Sequence, residues 1–449
     1  MSTSILRRIA VFAAAAAMLA STAACDLTDL YGVEEDKPLP GERIPVMQLD
    51  STLQADPRLE ELDVRLPAPW ANADWPQVGG YPSHAMHHLA LGEQIAEAWR
   101  IDIGAGASDG QRIFAPPVVA DGRLYAIDAE SNLSAFDTQT GDRLWRVALA
   151  PEEEDEGAIG GGIAYWNGWL YATTAYGLVY KLSPADGSQV WVNDLGLPMR
   201  PAPTVFGGRV YVVTGDNTLH ALSITDGTEE WSHTGIAEGA ALVNAAAPAA
   251  TESVVVVPFS SGEIFALRAG NGVVAWGDTL IRTGRISPVG EINDITGEPV
   301  MDRGVVFAVS HAGRMVAIDQ RTGARLWETT FGGLNMPWVA GDFIFLVTLD
   351  SEVVALTRSD GRVRWVHQLE RYINPDRKQN RGVVVWYGPV LAGDRLILLS
   401  SVGQAVTLSP YSGELLGELE LPDRAMVPPI VAEETLYITT ADGEIFAYR

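Results

Sequence analysis

The chain has a single cysteine, Cys25, among its 449 residues, which excludes an intrachain disulfide and any cysteine-built metal site. Histidine is scarce as well, at seven residues. His84, His87 and His88 crowd together around Met86, but no carboxylate or cysteine completes a ligand set, and a polar loop is expected there. Positive charge is in deficit: 31 Lys and Arg against 57 Asp and Glu leave a formal charge of −26. Such a polyanion is repelled by phosphate backbones, so nucleic acid is excluded as a partner. Beyond the N-terminal stretch no long segment carries the three-to-four-residue apolar period of an amphipathic helix, which excludes a helical fold. Also missing are a Gly-rich phosphate loop, a Ser/His/Asp set in recognisable context and any metal-ligand spacing. No catalytic residue, cofactor-binding residue or metal ligand is assigned, and the chain is not expected to be an enzyme.

What is present begins with an export signal. Residues 1–24 hold a short basic start (Arg7, Arg8), an apolar run from Ile9 to Ala20 and small residues up to Ala24. That is a secretory signal peptide, too short for a good membrane span. Thr22-Ala23-Ala24-Cys25 resembles a bacterial lipobox, with Thr22 where leucine normally stands, so Cys25 is the expected lipidation site and membrane anchor. A plain signal peptide cut after an Ala-x-Ala-like site is the alternative. Asp26 follows Cys25 directly, and in enteric bacteria aspartate there keeps lipoproteins in the inner membrane. The outer membrane is nonetheless the expected location, with the folded part facing the periplasm. Residues 25–92, with Glu34-Glu35-Asp36-Lys37-Pro38 and the Pro-rich stretch around Pro67-Ala68-Pro69-Trp70, read as the lipidated N-terminus and a tether. Trp70, Trp75 and Tyr81 are candidates to dock it on the folded body.

Residues 93–449 are built on a repeat. Ala317–Trp327 reads Ala-Ile-Asp-Gln-Arg-Thr-Gly-Ala-Arg-Leu-Trp, and Ala135–Trp145 reads Ala-Phe-Asp-Thr-Gln-Thr-Gly-Asp-Arg-Leu-Trp. Looser copies surround them. Each unit has a short apolar strand entered through proline, then alternating strands separated by Gly, Asn or Asp turns; this is the signature of antiparallel hairpins. Four strands in roughly forty residues make a propeller blade. The blade-closing position is held by Trp99, Trp145, Trp191, Trp231, Trp276, Trp327 and Trp365, and an eighth unit has Gly417 there. The last unit, ending at Tyr448, supplies only three strands. Glu97-Ala98-Trp99-Arg100-Ile101 is expected to be its fourth, which closes an all-β, eight-bladed propeller. Gly141, Gly187, Gly227, Gly272, Gly323, Gly361 and Gly413 supply the positive φ of the turn, and the nearby Asp or Asn bonds its backbone. Each tryptophan buries on the order of 150–250 Å². At roughly 25 cal/mol/Å² that is a gross gain of about 4–6 kcal/mol, an upper bound. Lacking it, the Gly417 blade is expected to form the weakest seam. The acidic run Glu152-Glu153-Glu154-Asp155-Glu156, the insertion 279–302 and the basic run Arg377-Lys378-Gln379-Asn380-Arg381 decorate the loops.

The Ala-x-Asp-x-x-Thr-Gly-x-x-x-Trp unit resembles the tryptophan-docking repeat of pyrroloquinoline-quinone (PQQ) enzymes, which are also eight-bladed. Those dehydrogenases usually carry an adjacent cysteine pair over the cofactor and an acidic calcium cluster; here the sole cysteine lies outside the ring. Residues 25–449 together, with a signal peptide, lipidated cysteine, tether and eight-bladed ring, are more similar to the BamB family of outer membrane protein assembly factors. That resemblance implies a non-catalytic lipoprotein of the β-barrel assembly machinery. Its implied partners are the POTRA domains of the barrel-forming subunit and unfolded outer membrane proteins, which it helps to deliver and insert. The family's Leu-x-Leu-Arg-type loop is answered by Leu195-Gly196-Leu197-Pro198-Met199-Arg200, with different spacing. Its Asp-Val-Asp-x-x-Pro loop is answered by Asp294-Ile295-Thr296-Gly297-Glu298-Pro299, with Thr296 replacing the second aspartate. Leu195, Leu197, Arg200, Asp294 and Thr296 are therefore the partner-binding residues that the resemblance implies. A PQQ-dependent dehydrogenase, or a propeller binding another envelope protein or a polysaccharide, is the alternative.

Overall fold

A computed structural model describes residues 53–108, 111–151, 159–238, 245–281, 294–377, 379 and 381–449. Leu53–Arg449 forms one compact unit. The signal peptide, Cys25, Asp26, the acidic run 152–156 and much of the insertion 279–302 lie outside the described residues.

The alternating segments form eight four-stranded antiparallel sheets. In blade 1 these are β2 (Val118–Ala120), β3 (Arg123–Ile127), β4 (Asn132–Asp137) and β5 (Arg143–Ala148), from the ring centre outward. Blades 2 to 7 occupy 161–194, 204–234, 249–279, 300–328, 338–368 and 386–420. Blade 8 joins β30 (Ile430–Ala432), β31 (Thr435–Thr439) and β32 (Glu444–Tyr448) to β1 (Glu97–Asp102) as its outer strand. The fold is thus the all-β, eight-bladed propeller, closed by pairing the two ends of the repeat array.

Each residue of the repeat has a physical task. Ala317 lies opposite Trp327, and a bulge follows it; the small side chain leaves room for the indole, and the bulge twists the outer strand. The Asp319 carboxylate accepts hydrogen bonds from the hydroxyl and the amide of Thr322, both at 2.7 Å, which hold its carboxyl below the usual range. The Trp327 indole N–H reaches the next blade and donates to the Arg358 carbonyl at 2.8 Å. There the indole lies on Gly361, where φ is +68° and a Cβ would stand 2.6 Å from Trp327 Cε3. Glycine is therefore required twice over, by backbone conformation and by contact. Trp99, Trp145, Trp191, Trp231, Trp276 and Trp365 make the same donation to Thr138, Pro184, Ile224, Ala269, Gln320 and Pro410 of the following blade.

Gly417 is the exception, for a topological reason. A tryptophan there would need a Thr-Gly turn in blade 8, but blade 8 has two chain segments where the turn would be. Ala96 and Arg449 exchange backbone hydrogen bonds at 2.8 and 3.0 Å in its place. Opposite Gly417 stands Thr407 instead of alanine. The seam is nevertheless sealed, because the largest apolar cluster among the described residues crosses it. That cluster contains Val406 and Leu408 of blade 7, Leu421 just after it, Val431, Ile438 and Ile445 of blade 8, and Leu89 and Leu91. At Gly417 itself the tryptophan contact is absent, and this cluster supplies apolar burial beside it.

Leu89 and Leu91 belong to the segment expected as a tether. From Leu53 onward it is part of the folded body instead. Residues 72–89 pass along the inner strands of all eight blades in order. Asn72 donates to Val431 of blade 8 at 2.7 Å, and Trp75 exchanges backbone bonds with Val119 of blade 1. The Pro76 carbonyl accepts from Tyr165 of blade 2, and the Gln77 amide bonds both the N–H and the C=O of Val205 in blade 3, each at 2.9 Å. Pro82 meets Ala250 of blade 4, Ser83 meets Met301 of blade 5, and Trp338 of blade 6 donates to His87 at 2.6 Å. Leu89 closes the circuit on Leu391 and Gly393 of blade 7. We refer to this segment as the clasp. Inner strands would otherwise end in unpaired backbone groups around the axis, and the clasp satisfies them with irregular backbone of its own. The three histidines are structural here rather than a polar loop: His84 and His88 are buried and bond the carbonyls of Pro299 and Pro67.

Candidate functional site

A cavity of about 430 Å³ lies at the start of the inner strands, with Trp75, Val78 and Gly79 of the clasp in its wall. Its position follows from the repeat. In seven units a proline stands at or near the start of the inner strand; in six of them the residue before it is biased toward extended backbone, while Gly388 has φ +109°. Ala202, Ala247, Glu298, Met336, Gly388 and Pro428 occupy that preceding position, and all of them line the cavity. The walls are mainly apolar, with Phe114, Trp338, Met336 and Met426; Trp75 stacks on Trp338 with ring centroids 6.3 Å apart. Arg112, Arg200, Glu298 and Tyr387 bring polarity.

Glu298 is the one ionisable residue in that ring of pre-proline positions, and burial pushes its carboxyl up to about 7. Behind it, burial lowers the His84 imidazole to about 4, offset in part by its bond to Pro299. The two groups have opposite consequences. A carboxyl raised from 4.5 to about 7 on folding makes the folded state bind more protons than the unfolded state. Stability from Glu298 is therefore full below pH 4.5 and falls as pH rises to about 7. His84, kept neutral, removes stability as pH falls below 6.5 toward about 4. Glu298→Gln is expected to raise the unfolding free energy above pH 7 by up to about 3 kcal/mol. Little gain is expected at pH 4. Denaturant titrations at both pH values check this; an equal effect at each would refute it.

The structure brings three of the five expected partner-binding residues together. Arg200 and Asp294 line one small recess of about 30 Å³ with Asn217 and Ser260. Thr296 lies next to them on the cavity wall. Asp294 and Thr296 are buried, and the Thr296 hydroxyl donates to Leu334 at 3.1 Å, so neither is an outward-facing loop residue. Leu195 turns inward against the Trp191 cluster. Leu197, 40% exposed, faces out. Glu298, Arg112 and Tyr387 escaped the sequence reading. Aligning the pre-proline position of each repeat would have singled out Glu298; nothing comparable marks the other two.

Among the described residues, no group of three or more His, Cys, Asp or Glu could hold a metal ion, and no helix is long and apolar enough to cross a membrane. Fold and site together define a PQQ-like-repeat propeller whose central cavity is walled in part by its own N-terminal clasp. Residues 92–158 and 129–367 match the family model described as outer membrane protein assembly factor BamB. The chain belongs to that family. It is similar to BamB of Burkholderia pseudomallei, 27% identical over 360 residues that cover 79% of this chain and 88% of that protein. The crystal structure of BamB from Moraxella catarrhalis shares the fold, with a TM-score of 0.67 and 19% identity, covering 79% of this chain and 100% of that one. Quinohemoprotein alcohol dehydrogenase from Comamonas testosteroni also shares it, with a TM-score of 0.62 and 14% identity over 84% of this chain and 80% of that one.

Proposed function

We propose that this protein is a non-catalytic scaffold of the outer-membrane β-barrel assembly machinery. In this reading Cys25 carries the lipid anchor, the propeller faces the periplasm, and the ring binds the POTRA domains of the barrel-forming subunit while aiding delivery and insertion of outer membrane proteins. The observation that carries it is the family match across most of the ring. Arg200 lines the recess and cavity that Asp294 and Thr296 wall from behind, and Leu197, three residues earlier, is exposed; a guanidinium and an aliphatic anchor of this kind dominate interfaces. Asp26 leaves retention in the inner membrane as the alternative location.

The test is recovery of the barrel-forming subunit from solubilised envelopes, comparing the wild type with Arg200→Ala and Leu197→Ala. Arg200→Ala is expected to weaken capture at least about tenfold, the effect of losing a hot-spot residue, and capture is compared at a temperature where circular dichroism shows the variant folded. No recovery by the wild type would sink the scaffold reading; full recovery by both variants would sink the interface. Dye reduction after reconstitution with PQQ and calcium would instead favour the dehydrogenase.

A further inference from the structure

Outer strands differ in how they guard their free edges. In blade 6 the chain covers its own edge: Asp56 donates to the Val363 carbonyl of β25 (Val363–Gln368) at 2.8 Å. Arg364 of the same strand holds the carbonyls of Leu62 and Glu60 at 2.7 and 3.0 Å. The covering segment, Asp56 capping the short 3-10 helix Pro57–Leu59, shows that the free edge of an outer strand of this ring can accept a backbone donor from another stretch of chain. The outer strand of blade 7, β29 (Leu415–Glu420), is the terminal strand of its sheet, and no described segment pairs with its free edge. Like the outer strands of blades 2 to 4 it has no lysine or arginine, the residues that commonly blunt such an edge; its charges are Glu418 and Glu420, and it exposes three large side chains, Leu415, Leu416 and Leu419, at 46–54%.

Three observations say what would cover it. Gly417 leaves open the place filled elsewhere by tryptophan: a Cβ there would meet only Thr407 Oγ1, at 3.4 Å. Alternation puts Gly417 and Leu419 on one face of the strand and Glu418 and Glu420 on the other. Beside its C-terminal half is a recess of about 750 Å³ whose wall includes Glu370, Glu418, Glu420 and Asp423, with Arg424 as its cation. A bare strand glycine is best covered by an aromatic residue directly across from it, and facing carboxylates favour cations.

We propose that β29 is a strand-addition site for an extended polypeptide that alternates aromatic or aliphatic residues with basic ones. The apolar residues lie across from Gly417 and Leu419, the basic ones across from Glu418 and Glu420. Main-chain hydrogen bonds supply affinity, and the two faces supply selectivity. The site deepens the scaffold reading by giving unfolded client chains a place on the ring, but it stands on the strand's own chemistry.

The experiment measures fluorescence anisotropy of a labelled peptide repeating Arg-Leu-Arg-Phe, with the full protein as receptor. Binding is expected, weakening as salt rises. Leu416→Lys/Glu418→Lys should weaken it at least about tenfold, through like charge and lost apolar cover. Val190→Lys, on the outer strand of blade 2, should leave it unchanged. Both variants alter exposed side chains, so matching unfolding midpoints exclude misfolding. No binding by the wild type, or equal affinity in the double variant, overturns the proposal. Loss of peptide binding with intact capture of the barrel-forming subunit locates the failure here. Peptide binding without that capture locates it in the scaffold reading.

Discussion

Deleting residues 70–90 from the chain is expected to abolish cooperative folding of the ring. The deletion removes Trp75, Met86 and Leu89, each buried to 3% exposure or less. Full burial of such side chains contributes about 1.5–3 kcal/mol each. It also strips partners from backbone groups at the inner strands, including both polar atoms of Val205, bonded by Gln77, and the N–H groups of Ala250 and Met301. Each buried polar group left without a partner costs about 1–3 kcal/mol. Together these losses match the whole stability of an ordinary domain, about 5–15 kcal/mol. Circular dichroism during urea unfolding should show a broad, early transition. An unchanged midpoint and slope would mean that the clasp rests on a ring already complete.

Gly361→Ala is expected to cost far more than Gly304→Ala, although both glycines have φ above +60°. At Gly304 a Cβ meets nothing within 4 Å, so the change costs only the left-handed backbone penalty of about 1–2 kcal/mol. At Gly361 the Cβ is driven into Trp327, adding an overpacking term of about 1–3 kcal/mol. Trp327→Ala should approach about 3–5 kcal/mol. Combining it with Gly361→Ala should cost less than the sum, because the clash is gone. Denaturant midpoints for the four variants check this; equal costs at the two glycines would show that the indole yields freely.

Legibility in the sequence tracked regularity. The Asp-Thr-Gly-Trp unit recurs with fixed chemistry, so its count gave eight blades, and the missing strand after Tyr448 pointed to Trp99. The clasp has no period: it bonds through Gln77, Pro76 and single backbone groups, and its prolines and charges resemble those of a linker. Trp75 was legible as a candidate to dock the segment on the body, and it does so on Val119 and Trp338, but its place on the ring was not. His84 and His88 looked polar because their partners, the carbonyls of Pro299 and Pro67, carry no sequence signal. The Gly417 substitution was visible, but its reason was not, since it lies in the architecture of blade 8. Asp294 and Thr296 were placed on a loop by resemblance, while the fold directs that loop toward the axis.

The clasp also sets a schedule for the newborn chain. Asn72 is made before the ring, yet its carbonyl partner Val431 lies 359 residues later, and Ala96 must await Arg449. Blades 1 to 7 can pair with Trp75–Leu89 one by one as they are synthesised, but Asn72 and the outer strand of blade 8 find partners only once β30 to β32 are made. Closure is thus a late event of very long sequence separation, and such pairings are slow. Until then unpaired strand edges stay exposed, a state in which chains aggregate. A chaperone acting on this protein would find its substrate in that waiting, almost complete arc.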